Sequence, residues 1–412
     1  MQFIRKVLSC TRSAALMLLL ALTSFLSISR GAFAEEPPAT KAVTKEVPLF
    51  VDFLQYRSAA TALVTGQNPY DPAVIAALEY QEFPNLPEAV LQWNPPLLFP
   101  FTLPFAGVSF GLGSLLWASL LVALLAWSAQ RLLHYQCFLN QERQLSRSWS
   151  QKVTFVLGLF LFFPLWECFR YGQVSPLLLA GFTGFLLLRL QGKESFSSRY
   201  AAGLCLSLTL IKPHLLYLLY LGLSFEALRK RRYGELLGFI SGAFVLGGIP
   251  LFWRPSIWQD YFFALQSMPL YFQTPTLGSL LQSLDPTAQW IRFLPMFAVG
   301  AGSIPFLFVY SRKAISQEVY LFLAALSLFT SPYGWIYDLV LLLPLVVALL
   351  SSHFSHRKLV AAYLALSALG FPWYGTIEIQ EYWWYSLGLV MLGWFYARSS
   401  SPAFAESSAS AR

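Results

Sequence analysis

Residues 107–130 read Gly-Val-Ser-Phe-Gly-Leu-Gly-Ser-Leu-Leu-Trp-Ala-Ser-Leu-Leu-Val-Ala-Leu-Leu-Ala-Trp-Ser-Ala-Gln, a run without a single charge. A helix needs about 20 apolar residues to cross a bilayer, and this run is long enough. It is not alone. Further apolar stretches lie near 153–169, 174–190, 200–211, 213–228, 234–252, 291–311, 317–331, 337–351, 359–373 and 382–397. The whole chain of 412 residues is 56% hydrophobic and 12% charged, against about 25% charged in an average soluble domain. A water-soluble fold could not hide so much apolar surface, whereas lipid removes the need to hide it. The fold class expected is an all-α polytopic integral membrane protein, a bundle of about 11–12 transmembrane or re-entrant helices with two extracytoplasmic loops.

Charge sorts along this pattern. The net charge of +8 would suit a nucleic-acid partner only if it formed one patch. Instead the basic residues stand in short clusters between apolar runs, as they do at a cytoplasmic membrane face. With the N-terminus inside, 20 of the 28 Lys and Arg fall on the cytoplasmic side, including Arg229-Lys230-Arg231-Arg232. The outer set is Arg30, Lys41, Lys45, Arg57, Arg170, Lys212, Arg254 and Arg292. The first 34 residues form a signal-like N-terminal anchor: Arg5, Lys6 and Arg12 precede an apolar run, and Ala32-Phe33-Ala34 resembles a peptidase site. Cleavage and retention of this segment both put the next residues outside. Residues 35–398 make one membrane domain, and 399–412 are a Ser/Ala-rich tail expected to be disordered. The four cysteines, Cys10, Cys137, Cys168 and Cys205, lie far apart and read as small apolar fillers.

Two outer loops follow from this topology. The first, 35–95, carries eight acidic against three basic residues and ends at Asn94-Pro95-Pro96, after which 97–105 reads as a short dipping segment. The second, 253–290, is rich in aromatic residues, as suits helices lying in the interface. The paired stretches 200–211 and 213–228 break at Lys212-Pro213, because proline cannot continue a helical ladder and the residue before it avoids helical geometry. Basic residues flank both far ends, so Lys212 is expected at an outer turn.

The unusual polar residues then gather on one side. Asp52 opens the first loop, Arg170 and Gln173 follow the stretch ending near 169, Lys212 marks the break, and Tyr337 and Asp338 follow Ser331-Pro332-Tyr333-Gly334-Trp335. Ionisable groups at membrane depth are costly and usually functional, and this convergence points to an outward-facing site for an anionic lipid headgroup. Plainer readings exist for each: a solvated acid at Asp52, a snorkelling Lys212, an interfacial anchor at Arg170, a structural pair at Asp338, and a packed histidine at His214. The same charges would also serve a lipid or solute transporter, or a structural subunit without a site.

The motifs narrow the choice. Asp52-Phe53-Leu54-Gln55-Tyr56-Arg57-Ser58-Ala59, followed by Gly66-Gln67-Asn68-Pro69-Tyr70-Asp71, resembles the opening of glycosyltransferase family 87, a GT-C family. Asn94-Pro95-Pro96-Leu97, Gly172-Gln173-Val174-Ser175-Pro176-Leu177, Ile211-Lys212-Pro213 and Ser331-Pro332 through Trp335 resemble further motifs of that family in order, over about residues 45–350. Where better-known members carry histidine after that tryptophan, this chain has Tyr337 and Asp338. The resemblance implies transfer of a hexose, mannose first among them, from a polyprenyl-phosphate sugar to a hydroxyl of a lipid or glycan acceptor. It places the reaction on the outer face of a bacterial inner membrane, with membrane lipids as surroundings and no nucleic acid. An acceptor hydroxyl needs a base, for which Asp52 is the candidate. The departing phosphate needs a cation, for which Lys212 is the candidate, with Arg170 and Gln173 beside it. Tyr56, Asn94, Tyr337 and Asp338 are expected to line the substrate site. No second acid stands next to Asp52, so neither a metal nor any cofactor beyond the lipid-linked co-substrate is expected.

Overall fold

The computed structural model describes residues 49–139, 149–191, 195–311, 315–352, 356–371 and 379–400. The N-terminal anchor, the acidic residues as far as Glu46 and the tail beyond Ser400 lie outside these. Among the described residues the chain is all-helical and without strands. Each apolar stretch read from the sequence holds a helix, and the last helix, Trp383–Ser400, runs slightly past the boundary expected at 398.

Among the described residues, three helical stretches are long and apolar enough to cross a membrane alone: Phe110–Gln136, Tyr233–Phe252 and Gln289–Val309. Their outer faces expose large apolar side chains, among them Leu115, Phe244 and Phe297, which water would not tolerate in such number. The shorter apolar helices sit inside. Helices α6 (Ser175–Gln191) and α13 (Gln317–Thr330) and the run from Ile336 to Ser351 bury almost every side chain. They form the centre of the bundle, and the lipid-facing helices wrap it.

The apolar stretch 153–169 is divided into two helices, α4 (Trp149–Phe160) and α5 (Pro164–Tyr171), bent by 45°. Pro164 is the cause: its ring would clash with the carbonyl four residues back and it offers no N–H, so it starts a new helix instead.

At the far end of α6, Arg189 holds three neighbours. Its guanidinium donates to Glu226 of α8 (Tyr217–Lys230) and to Glu235 of α9 (Tyr233–Gly248). It also lies 5.0 Å over the ring of Tyr320 of α13, whose hydroxyl donates to Glu226 at 3.1 Å. All four side chains are buried or nearly so. Burying charge is tolerable here because each cation meets carboxylates.

Helices α7 (Phe196–Ser207) and α9 approach unusually closely, through the glycines at 234, 238 and 242, four residues apart on one face. A Cβ at Gly238 would lie 2.0 Å from the Tyr200 carbonyl oxygen, and backbone cannot retreat as a side chain can. Gly238→Ala is therefore expected to destabilise by about 1–3 kcal/mol and lower the unfolding midpoint of the detergent-solubilised protein. An unchanged midpoint would mean the two helices are not packed this way.

Candidate active site

The site is assembled from four breaks in regular structure. Helix α1 (Val51–Val64) begins at Phe50, which is left-handed (φ 64°), and the Phe50 N–H donates to the Arg170 carbonyl at 3.0 Å. This bond ties the start of α1, with Asp52 in its first turn, to the end of α5. Helix α5 ends at Gly172, also left-handed (φ 70°). A Cβ there would strike Phe50 and Phe53, so only glycine allows both the turn and the contact. The Gly172 carbonyl accepts from the Trp117 indole at 2.7 Å, which fixes the turn and sends Gln173 inward. Lys212 sits between two 3₁₀ turns, Leu208–Ile211 and Pro213–Leu216. Asp338 lies in the 3₁₀ stretch Ile336–Leu342 and caps it, its carboxylate accepting from the Trp335 N–H at 3.0 Å.

These breaks bring distant residues into one network. The Lys212 ammonium donates to Asp338 Oδ1 at 2.8 Å and to Gln173 Oε1 at 3.1 Å. Gln173 Oε1 also accepts from the Tyr56 hydroxyl at 3.1 Å, and the Gln173 amide donates to Asp52 Oδ2. Ser175 at the start of α6 donates to Asp338 Oδ1 at 2.6 Å. The Tyr337 ring lies 4.9 Å from the Lys212 ammonium, a cation–π contact, and stacks on Trp335. Lys212 is 8% exposed and Asp338 1%, so Lys212 does not snorkel to the surface.

Of the residues singled out from the sequence, Asp52, Tyr56, Gln173, Lys212, Tyr337 and Asp338 belong to this network. Asn94 stands beside it: its amide donates to Gln92 Oε1 at 3.3 Å, and its carbonyl accepts from Tyr70 at 2.9 Å. Arg170 stands at the edge: it pairs with Glu167 at 3.5 Å and lies over the Tyr171 ring, which in turn meets Tyr337. Ser175 was not singled out. It lies inside the quoted Gly172–Leu177 motif, and its helix-start position next to Gln173 was the available signal. Two clefts, one lined by Gln273, Thr274, Ser279 and Glu381 and one by Arg57, Ser58, Thr61 and Glu82, are not lined by any network residue.

Asp52 is half-buried in the first turn of α1. Burial lifts its carboxyl from the usual carboxylate range to about 7, against the lowering effect of the Gln173 amide and the Lys212 charge. A carboxylate so poised can both accept and release a proton near neutrality. Among the described residues no three His, Cys, Asp or Glu side chains gather as metal ligands would.

The glycosyltransferase family 87 pattern matches residues 93–332, more than half of the chain, and the chain belongs to that family. It is a membrane glycosyltransferase. Searches of curated proteins and of solved structures gave no match. The matched span includes Asn94, Arg170, Gln173 and Lys212. Asp52, Tyr56, Tyr337 and Asp338 lie beyond its ends, and their membership of the site rests on the geometry above. Family membership sets the transporter alternative aside.

Breaking a buried ion pair strands the remaining charge, at about 3–5 kcal/mol. Lys212→Met and Asp338→Asn are each expected to lower stability on that scale, and the double variant to recover part of the loss, in thermal unfolding of the solubilised protein. Additive losses would show that the two charges do not depend on each other.

Proposed function

We propose that the protein transfers a hexose, mannose in the first instance, from a polyprenyl-phosphate donor to a hydroxyl acceptor. The reaction is a single inverting displacement on the extracytoplasmic face of a bacterial inner membrane. The observation that carries this reading is the chain Asp52–Gln173–Lys212–Asp338, in which a carboxylate of raised pKa and a buried ammonium are held by one amide.

Each member has a part. Asp52 takes the acceptor proton as the acceptor oxygen bonds to the anomeric carbon. The bond from that carbon to the phosphate oxygen breaks, and its electrons leave with the polyprenyl phosphate. Lys212 carries three N–H donors. Two are used by Asp338 and Gln173, and the third remains for a phosphate oxygen, where charge grows in the transition state. Asp338, held by Ser175 and by the Trp335 N–H, fixes where that ammonium points. Gln173 sets the spacing between base and cation. Tyr337 and Tyr56 wall the site, and Arg170 at its edge is placed to meet the donor phosphate on its way in. Attack opposite the leaving group needs no second carboxylate as nucleophile. Lys212 supplies the positive charge that a divalent ion would otherwise bring, so the reaction is read as metal-independent.

Membranes carrying the protein, supplied with labelled polyprenyl-phosphate mannose and a glycan acceptor, test this. Asp52→Asn at equal abundance is expected to lower transfer by about 10²–10⁴-fold, Lys212→Ala by about 10²-fold or more, and excess EDTA to leave wild-type transfer unchanged. Near-full transfer by Asp52→Asn would refute the base, and loss of transfer with EDTA would refute the metal-free mechanism.

A further inference from the structure

On α1, residues 52, 55, 56 and 59 share one face. Residues 90–94 cross that face. On one side the Gln55 amide donates to the Leu91 carbonyl, and on the other Asn94 lies beside Tyr56. Glu79, from helix α2 (Pro72–Glu82), holds the same segment, its Oε2 accepting from the Val90 N–H at 2.8 Å. The strap therefore lies over the side of the helix that presents Asp52, one turn from the carboxylate.

In and around the strap, polar groups are left over. Glu79 is fully buried and Gln92 is 2% exposed, yet Glu79 Oε1 and Gln92 Nε2 have no hydrogen-bond partner. Ser58 Oγ, one turn along from Gln55 and equally buried, has none either. Buried polar atoms in folded proteins nearly always have a partner, whether protein, water or ligand. The Asp52 charge acts on Glu79, and burial lifts the Glu79 carboxyl to about 8, so it holds its proton at neutral pH and offers both a donor and an acceptor.

We propose that Glu79 and Gln92 form the acceptor subsite and select a polyhydroxylated ring, the sugar of a glycan or of a glycosylated headgroup, one hydroxyl of which is turned toward Asp52. A vicinal diol answers both vacancies at once, since each hydroxyl donates one hydrogen bond and accepts others. An alkyl alcohol or a serine side chain brings a single hydroxyl and leaves one buried group unpaired, which is how sites of this kind reject the poorer substrate. Leu91 and Asn94 anchor the strap by backbone carbonyls, and the Asn94 amide donates to Gln92 Oε1 at 3.3 Å, so what Gln92 offers a ligand is its own amide N–H. The assignment of this ring as acceptor rests on the reading of Asp52 as the base.

The test is binding, not turnover. Full-length protein in lipid nanodiscs is titrated with methyl α-mannoside, methyl α-glucoside and 1-butanol, and contact is read by saturation-transfer NMR. Wild type and Asp52→Asn are expected to saturate the ring protons of at least one glycoside and not butanol. Gln92→Leu, which keeps the volume and removes both polar atoms, is expected to weaken glycoside binding at least tenfold. Glu79→Leu is expected to do the same, and serves should Gln92→Leu fail to fold. No glycoside contact in wild type, or equal contact in both variants, would overturn the subsite. Glycoside binding that depends on Gln92 without any transfer from polyprenyl-phosphate donors would uphold the subsite and count against the donor assignment instead.

Discussion

The buried pair of Lys212 and Asp338 is the constraint on which the rest depends. Each residue stands where a helix is interrupted, at Lys212 between two 3₁₀ turns and at Asp338 inside the stretch Ile336–Leu342. Helices broken within a bundle expose backbone groups that lipid cannot satisfy, and such breaks survive only where protein or a water-lined cavity meets them. The ion pair closes these two breaks on each other, and Ser175 and Gln173 bring in the start of α6 as a third party. Removing either charge leaves the other buried and alone. The active geometry and the packing of the bundle centre are thus one problem with one solution.

Helix α6 has a charge cluster at each end, and the two differ in a way that bears on function. At its far end, about 20 Å from Ser175 by the helical rise, Arg189 faces two glutamates and an aromatic ring. That cluster, with Lys230 and Arg232 also within 3.4 and 3.7 Å of Glu226, tethers α8, α9 and α13. At the near end the ammonium of Lys212 meets one carboxylate and one amide and keeps a donor in hand, while Asp52 is held by a single amide. On the function proposed above, the chemistry belongs to that end.

Much of this was legible in the sequence because membranes restrict composition so tightly. The uncharged run 107–130 and its companions gave the helices, and polar residues at the ends of apolar stretches stood out as Asp52, Lys212 and Asp338. What could not be read was pairing. Gln173 meets Asp52 across 121 positions and Lys212 meets Asp338 across 126, and no local pattern encodes such distances. The bend at Pro164 was not legible because the residues on both sides are equally apolar, and hydropathy does not register one missing N–H. Glu79 and Gln92 passed as ordinary loop residues, since an acid and an amide in a polar stretch look solvated until the fold buries them. The family pattern ends at 332, short of Asp338, so the structure supplies what joins that residue to the matched core.

The most direct test of the central claim, that Asp52 is the proton acceptor and is tuned by this network, is the pH dependence of kcat/KM for sugar transfer. A base must be deprotonated to act, so activity should rise with pH through a single ionisation near 7, the value to which burial lifts Asp52. Lys212 and Gln173 both hold that value down. In Lys212→Met and Gln173→Leu the ionisation should therefore move to higher pH, with residual activity recovering as the medium becomes more alkaline. A wild-type profile flat between about pH 5 and 8, or an ionisation that stays in place when Lys212 and Gln173 are replaced, would contradict the account.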